Sequence, residues 1–237
     1  MTSIANCAPA AATPAATPGS VFPHTPPARM LYVIEHMETE LSPWVKCEYT
    51  RMVRDCGADR LLFTNMRPGI NCPAYDSEAL RFLRGARLVP DTFEVFARGH
   101  PKHRTCLLDE RATAGILQPE DARSFDYFLF GGVLGNVDDL DMDRTSELRV
   151  HGYASRHLGP DQMSTPTALD VTFRVLDGQQ EIAAMNFVNR PEFAVNDCET
   201  LQIPFKYLAD KDGDAIIADG ILDILTDDLD WDLDSLM

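Results

Sequence analysis

The chain is short of positive charge: among its 237 residues, 21 lysines and arginines stand against 37 aspartates and glutamates, a formal net charge of −16. A protein whose main partner is RNA normally carries a basic face to neutralise phosphates. The charge balance therefore disfavours RNA contact, without excluding it, and favours a basic protein or peptide as partner. No run of about 18 apolar residues is available to span a bilayer, so no membrane partner is expected. The N-terminus lacks the basic start and apolar stretch of a secretory signal, which leaves the expectation of an intracellular protein. The six cysteines contain no CxxC pair and no regular framework. Reduced thiols in the cytosol or nucleus fit that pattern, and structural zinc does not. His100 and His103 form an HxxH pair, but Pro101 lies between them and no third ligand is near, so a solvated loop is expected there and no metal. The stretch from Asp210 to Ala215 resembles the start of a calcium loop, yet the twelfth position, where that loop needs glutamate, is Ile221.

What is present is material for one sizeable core, with 45% of residues apolar. Residues 1–29 are expected to be a disordered Ala/Pro/Thr-rich tail, since six of the 16 prolines lie there and little surface could be buried. The folded domain is expected over 30–226 and an acidic tail over 227–237. From Asp219 onward seven aspartates occur with no lysine or arginine, which suits either solubility or attraction of a basic substrate.

Apolar runs alternate with helical patterns. Leu31 to Glu35, Arg60 to Thr64, Thr105 to Asp109 and Tyr127 to Phe130 read as buried strands. Ser42-Pro43 starts a helix as N-cap and first helical residue, Gly57 closes it, and Val45, Tyr49, Met52, Val53 and Cys56 form its apolar face. Asp76 to Leu83 reads as a second helix, after which a loop containing Gly99 and Pro101 leads to the next strand. Pro119 to Ala122 reads as a helical turn and Asp143 to Leu148 as a helix opening. A further strand leads to Arg156, and Ala168 to Leu176 is expected to be helical despite its β-branched residues. Lys206 to Ala218 reads as a hairpin around Asp212-Gly213. The alternation implies an α/β fold with a mostly parallel sheet.

The most informative stretch is Phe125 to Gly135, an aromatic strand running into Gly131, Gly132 and Gly135. Glycines at the carboxyl end of a strand in an open α/β sheet make either a tight connection or a loop that lets a ligand approach the backbone.

Joined to other motifs, that loop acquires a family. FGGVLG at Phe130 to Gly135, DRT at Asp143 to Thr145, and LGPDQMS at Leu158 to Ser164 followed by Thr167-Ala168 resemble the S-adenosylmethionine site of SPOUT methyltransferases. YVIEHME at Tyr32 to Glu38, SPWVKCEY, CLLDERA, LQPEDA and IPFKY, in that order, are similar to the fungal SPOUT-class protein arginine methyltransferases, which act on a ribosomal protein of the small subunit. The resemblance covers Met30 to Leu225. It implies helices on both faces of the sheet and a deep C-terminal trefoil knot, a threading that periodicity cannot reveal and that ordinary folds avoid.

The resemblance also implies a cofactor set of Gly131, Gly132, Leu134, Gly135, Arg144, Thr145, Leu158, Gly159, Gln162, Met163, Ser164 and Ala168. Leu158 and Met163 suit core packing equally well. Arg144 suits either the methionine carboxylate of the cofactor or the DRT turn. A guanidinium is a hard acceptor that needs a carboxylate to orient it and take its proton. Glu35, Glu38 and Asp109, at or just after strand ends, are expected in that role, with capping or a salt bridge as the alternative use. The acidic stretch with Asp138, Asp139 and Asp141 could attract a basic peptide. The expected protein is thus a cytoplasmic, monomeric arginine methyltransferase. An RNA methyltransferase and a non-catalytic cofactor-binding assembly factor are its rivals.

Overall fold

The computed structural model describes residues 29–132, 143, 145–194 and 200–226. Residues 1–28 of the expected N-terminal tail, the expected acidic tail 227–237, the acidic stretch at 138–141, and the site residues Leu134, Gly135 and Arg144 lie outside the described residues.

Six strands form one sheet: β1 (Leu31–Glu35), β2 (Leu61–Thr64), β3 (Arg87–Leu88), β4 (Thr105–Leu108), β5 (Tyr127–Phe130) and β6 (Ala154–Arg156). Their order is β3-β2-β1-β5-β4-β6, and every pairing is parallel. The apolar runs serve both faces, because successive side chains of a strand point to opposite sides. Tyr32, Ile34, Leu61, Phe63, Cys106, Leu108, Phe128 and Phe130 enter one buried cluster. Val33, Leu62, Leu107, Tyr127 and Leu129 enter a second. Helices α1 (Pro43–Cys56) and α4 (Thr165–Leu176) cover the first face through Val45, Tyr49, Met52, Leu169 and Val175. The short helices α2 (Phe93–Phe96) and α3 (Thr145–Arg149) contribute Phe93 and Leu148 to the second.

Helix α1 starts as its sequence dictates. The Ser42 hydroxyl accepts from Val45 N at 3.2 Å, Pro43 occupies the first turn, and Gly57 follows the last residue at φ 84°. The loop expected between Leu83 and Thr105 carries β3, α2 and a three-residue 3₁₀ helix over Lys102–Arg104. The segment from Asp76 is a six-residue 3₁₀ helix over Glu78–Leu83 and not an α-helix. Helix α4 begins a turn earlier than Ala168. Beyond it, β7 (Phe187–Asn189) pairs antiparallel with β10 (Lys206–Leu208), and β8 (Glu192–Ala194) with β9 (Thr200–Gln202). The hairpin expected around Asp212-Gly213 is present as a tight turn, with Ile216 N donating to Leu208 O at 2.8 Å, but β10 finds its ladder partner in β7.

One ionic cluster, half-buried, ties the start of β1 to the end of α4. Arg60 donates twice to Asp177, at 2.6 and 2.9 Å, and the Tyr32 hydroxyl donates to the same carboxylate. Burial pushes the Asp177 carboxyl up, but Arg60 and Tyr32 outweigh it and hold it below the usual range. Asp177→Asn leaves Arg60 facing an amide, and we expect a loss of about 2 kcal/mol. The check is the urea midpoint, which should fall with an unchanged slope.

Candidate active site

A cavity opens where the carboxyl ends of β4, β5 and β6 meet the start of α4, the position at which open α/β sheets bind ligands. Gly131 and Gly132 follow β5 and line it, as do Leu158 and Gly159 after β6 and Gln162, Met163, Ser164, Thr165 and Ala168 at the start of α4. Thr145 contributes from α3. The described part of the expected cofactor set is thus gathered around one space, although it is drawn from three separate stretches of chain.

Two glycines in this wall lack side chains for different reasons. At Gly159, φ is 127° and no atom beyond its chain neighbours lies within 4 Å of where a Cβ would stand, so the turn suits glycine for its backbone and has open space beside it. At Gly132 a Cβ would stand 2.8 Å from Met37 Cβ and 3.0 Å from the Glu35 carbonyl oxygen. Its missing side chain therefore makes room for the chain leaving β1. The Gly132 carbonyl accepts from Thr165 Oγ1 at 3.3 Å, which couples the β5 loop to the start of α4. Ser164 takes the N-cap position of α4 but makes no side-chain capping bond there; its hydroxyl donates to Thr167 Oγ1 at 2.9 Å.

Of the three carboxylates expected at the acceptor, Asp109 lines the cavity, and Glu35 and Glu38 are not among the described residues that do. Strand parity explains Glu35. It shares a face with Val33, so its side chain points toward α2, where the carboxylate accepts from Phe93 N at 2.9 Å and from the Thr64 hydroxyl. Burial pushes its pKa up, against the pull of those two donors. Glu38 lies half-buried in the segment between β1 and α1. Asp109 is held by Arg149, with Nε donating to Oδ2 at 2.6 Å and Nη2 to Oδ1 at 2.7 Å, and Arg111 N donates to Oδ1 at 2.9 Å.

The other side of the cavity comes from residues without a role in the expected site, although SPWVKCEY and IPFKY contain most of them. Trp44 and Glu48 project from α1, Leu201 to Phe205 form the segment from β9 to just before β10, and Leu225 adds the end of the described chain. Glu48 is 6% exposed. Burial pushes its carboxyl up to about 8, against the opposing pull of Arg51. Its signal in the sequence is position: Val45, Glu48, Tyr49 and Met52 follow helical spacing, which puts a glutamate on the buried face. Glu110, Asp143 and Asp161 complete the acidic lining. Among the described residues no group of three or more His, Cys, Asp or Glu side chains could hold a metal ion.

Comparisons with known proteins point one way. A family profile described as "Protein arginine N-methyltransferase SFM1-like" matches residues 31–231. Protein arginine N-methyltransferase SFM1 of Saccharomyces cerevisiae is 36% identical over 219 residues, spanning 88% of this chain and 100% of that one. The crystal structure of the yeast arginine methyltransferase SFM1 complexed with SAM superposes with a TM-score of 0.74 at 36% identity, covering 86% of this chain and 93% of that chain. The complex of the same enzyme with SAH gives a TM-score of 0.72 at 36% identity, covering 82% and 93%.

Proposed function

The chain belongs to the SFM1-like family of protein arginine N-methyltransferases, and from that premise we propose that it transfers a methyl group from S-adenosylmethionine to an arginine of a basic protein of the small ribosomal subunit. The observation that carries the reading is the cavity beyond β4, β5 and β6, where Gly131, Gly132, Thr145, Leu158, Gly159, Gln162, Met163, Ser164 and Ala168 converge. The open space beside Gly159 and the first turn of α4, whose N-cap leaves backbone N–H groups without a side-chain partner, suit a cofactor with a polar, charged end. Leu134, Gly135 and Arg144 complete the proposed set.

When bound, S-adenosylmethionine supplies an electrophilic methyl on a sulfonium. The protein's part is to align the acceptor nitrogen with that methyl and to receive a proton as the bond forms. Asp109, Glu110, Asp143 and Asp161 give the mouth of this space a negative lining, which draws in a guanidinium and opposes phosphate. Within the proposal, Asp109 is the one of the three expected carboxylates that lines this space, anchored there by Arg149. The C-terminal knot belongs to the same reading, supported by the likeness to the yeast enzyme's fold. So do a monomeric state and a cytoplasmic location.

The test is methyl transfer from radiolabelled S-adenosylmethionine to a purified small-subunit fraction. We expect label that survives ribonuclease and disappears with protease. Label that survives only protease would make RNA the acceptor and sink the protein-substrate reading. Cofactor binding by calorimetry with no turnover on any ribosomal fraction would leave a silent binding module.

A further inference from the structure

Glu48 differs from every other carboxylate that lines the cavity. Asp109 is paired with Arg149 at 2.6 Å, Asp143 with Arg149 at 3.1 Å, Glu110 with Arg111 at 3.7 Å and Asp161 with Lys206 at 3.0 Å. Among the described residues Glu48 has no cation within salt-bridge distance, yet it is 6% exposed and faces the cavity. A carboxylate kept in such a place costs stability unless something compensates it. Trp44, one helical turn earlier on the same wall, sets an aromatic surface beside it. A carboxylate beside an indole matches a guanidinium, which bonds bidentately to the first and stacks on the second.

We infer that Glu48 is the catalytic residue that grips the acceptor arginine and receives its proton, with Trp44 as the surface on which the guanidinium is positioned. The inference rests on the arginine-methyltransferase reading above and names the acceptor subsite within it. In the step, an acceptor nitrogen forms a bond to the methyl carbon while the carbon–sulfur bond breaks and its electron pair stays on sulfur. The attacking nitrogen then gives one proton to the Glu48 carboxylate. The products are a methylated guanidinium, still singly positive, a neutral thioether and a protonated Glu48, which passes its proton to water as the product leaves.

Burial raises the Glu48 carboxyl to about 8, which makes it a competent proton acceptor near neutral pH, where an ordinary glutamate is a weak base. The incoming cation favours the ionised form. Cys47, Tyr49 and Arg51 on α1 and Tyr207 on β10 interact with it electrostatically, and Asp109, Glu110, Asp143 and Asp161 line the same cavity. Of these, Arg51 is already engaged with Asp55 at 3.1 Å and the Ile216 carbonyl at 2.7 Å.

The test compares wild type, Glu48→Gln and Glu48→Asp, each saturated with the demethylated cofactor. The probes are a short Gly/Lys peptide with one central arginine and the same peptide with citrulline, its uncharged isostere. We expect wild type to prefer arginine by about tenfold, and Glu48→Gln to lose that preference while binding the demethylated cofactor as wild type does. Glu48→Asp, which keeps the charge, should retain part of it. With S-adenosylmethionine, turnover by Glu48→Gln should fall by about 100-fold or more and lose the rise of kcat/KM with pH toward 8. An equal arginine preference in wild type and Glu48→Gln, or no preference in wild type, would overturn the inference. Neither result depends on whether ribosomal label resides in protein or RNA, so the two readings fail separately.

Discussion

Replacing Arg149 with alanine lowers the stability of the folded chain by about 3 kcal/mol at neutral pH and reverses the contribution that Asp109 makes to its acid-range pH dependence. Asp109 has a side chain only 2% exposed, and both carboxylate oxygens are occupied by Arg149, at 2.6 and 2.7 Å. Removing the guanidinium leaves a buried charge with one backbone donor, Arg111 N. The expected loss sits at the low end for a broken buried pair because the Arg149 side chain is 35% exposed and water screens part of the interaction.

The sign of the pH effect follows from competing influences. Burial pushes the Asp109 carboxyl up, but Arg149 and Arg111 outweigh it and hold it below 3.8. In wild type the ionised group therefore contributes stability that is present above the unfolded value and lost as pH falls through the folded one. Without Arg149, burial becomes the larger influence and the folded value rises above the unfolded one. The contribution is then present at low pH and lost as pH climbs. Urea titrations from about pH 3 to about pH 7 should show the variant gaining on wild type as the solution is acidified. Parallel curves would show that Arg149 does not control the Asp109 charge. Asp109→Asn placed on Arg149→Ala should recover part of the neutral-pH loss, since no buried charge remains.

That pair also marks where sequence reasoning stops. The four longest strands of the sheet are legible because buried parallel strands are continuous apolar runs; Tyr127 to Phe130 is the clearest. Helix α1 carries its own start and stop in Ser42, Pro43 and Gly57. β3 and α2 are not legible. A two-residue strand has no periodicity to detect, and α2 spans only Phe93–Phe96. Helix α2 also takes an N-terminal hydrogen bond to the Glu35 carboxylate, 58 residues away. That partnership is tertiary, and it gives Glu35 a use that its place at a strand end does not disclose.

The cavity divides in the same way. The wall that carries Gly131, Gly132 and Leu158 to Ser164 is reached from the sequence through short motifs that resemble a family's, each of them a local stretch of chain. Its opposite wall joins α1 to Leu201–Phe205, segments with no shared pattern, and only folding brings them together. Glu48 still left a trace. A charged residue at a core-facing helical position needs an explanation, and a search restricted to acids at strand ends passes over it.

Gly132→Ala weakens S-adenosylmethionine binding by about tenfold and costs about 1–3 kcal/mol of stability, although the substitution adds one methyl group. The glycine looks as though it serves a ligand, but the nearest obstacles to a Cβ are Met37 Cβ at 2.8 Å and the Glu35 carbonyl at 3.0 Å. Neither is the free end of a flexible side chain. The first is bonded directly to the backbone leaving β1 and the second is part of it, and β1 is paired in register with β5 through Ile34 and Phe130. The end of β5 must therefore shift away from β1. Thr165 follows it through the bond to the Gly132 carbonyl, and with it moves the first turn of α4, where Ser164 and Thr165 line the cavity. Gly159→Ala is the contrasting case: its Cβ meets nothing beyond its chain neighbours within 4 Å, so its cost is confined to a backbone at φ 127°. Calorimetry of cofactor binding and thermal melting on both variants separate a displaced wall from a strained turn. Adding Met37→Gly to Gly132→Ala removes the closest contact and should restore part of the affinity; a further loss would show that the Met37 contact is not what Gly132 is there to accommodate.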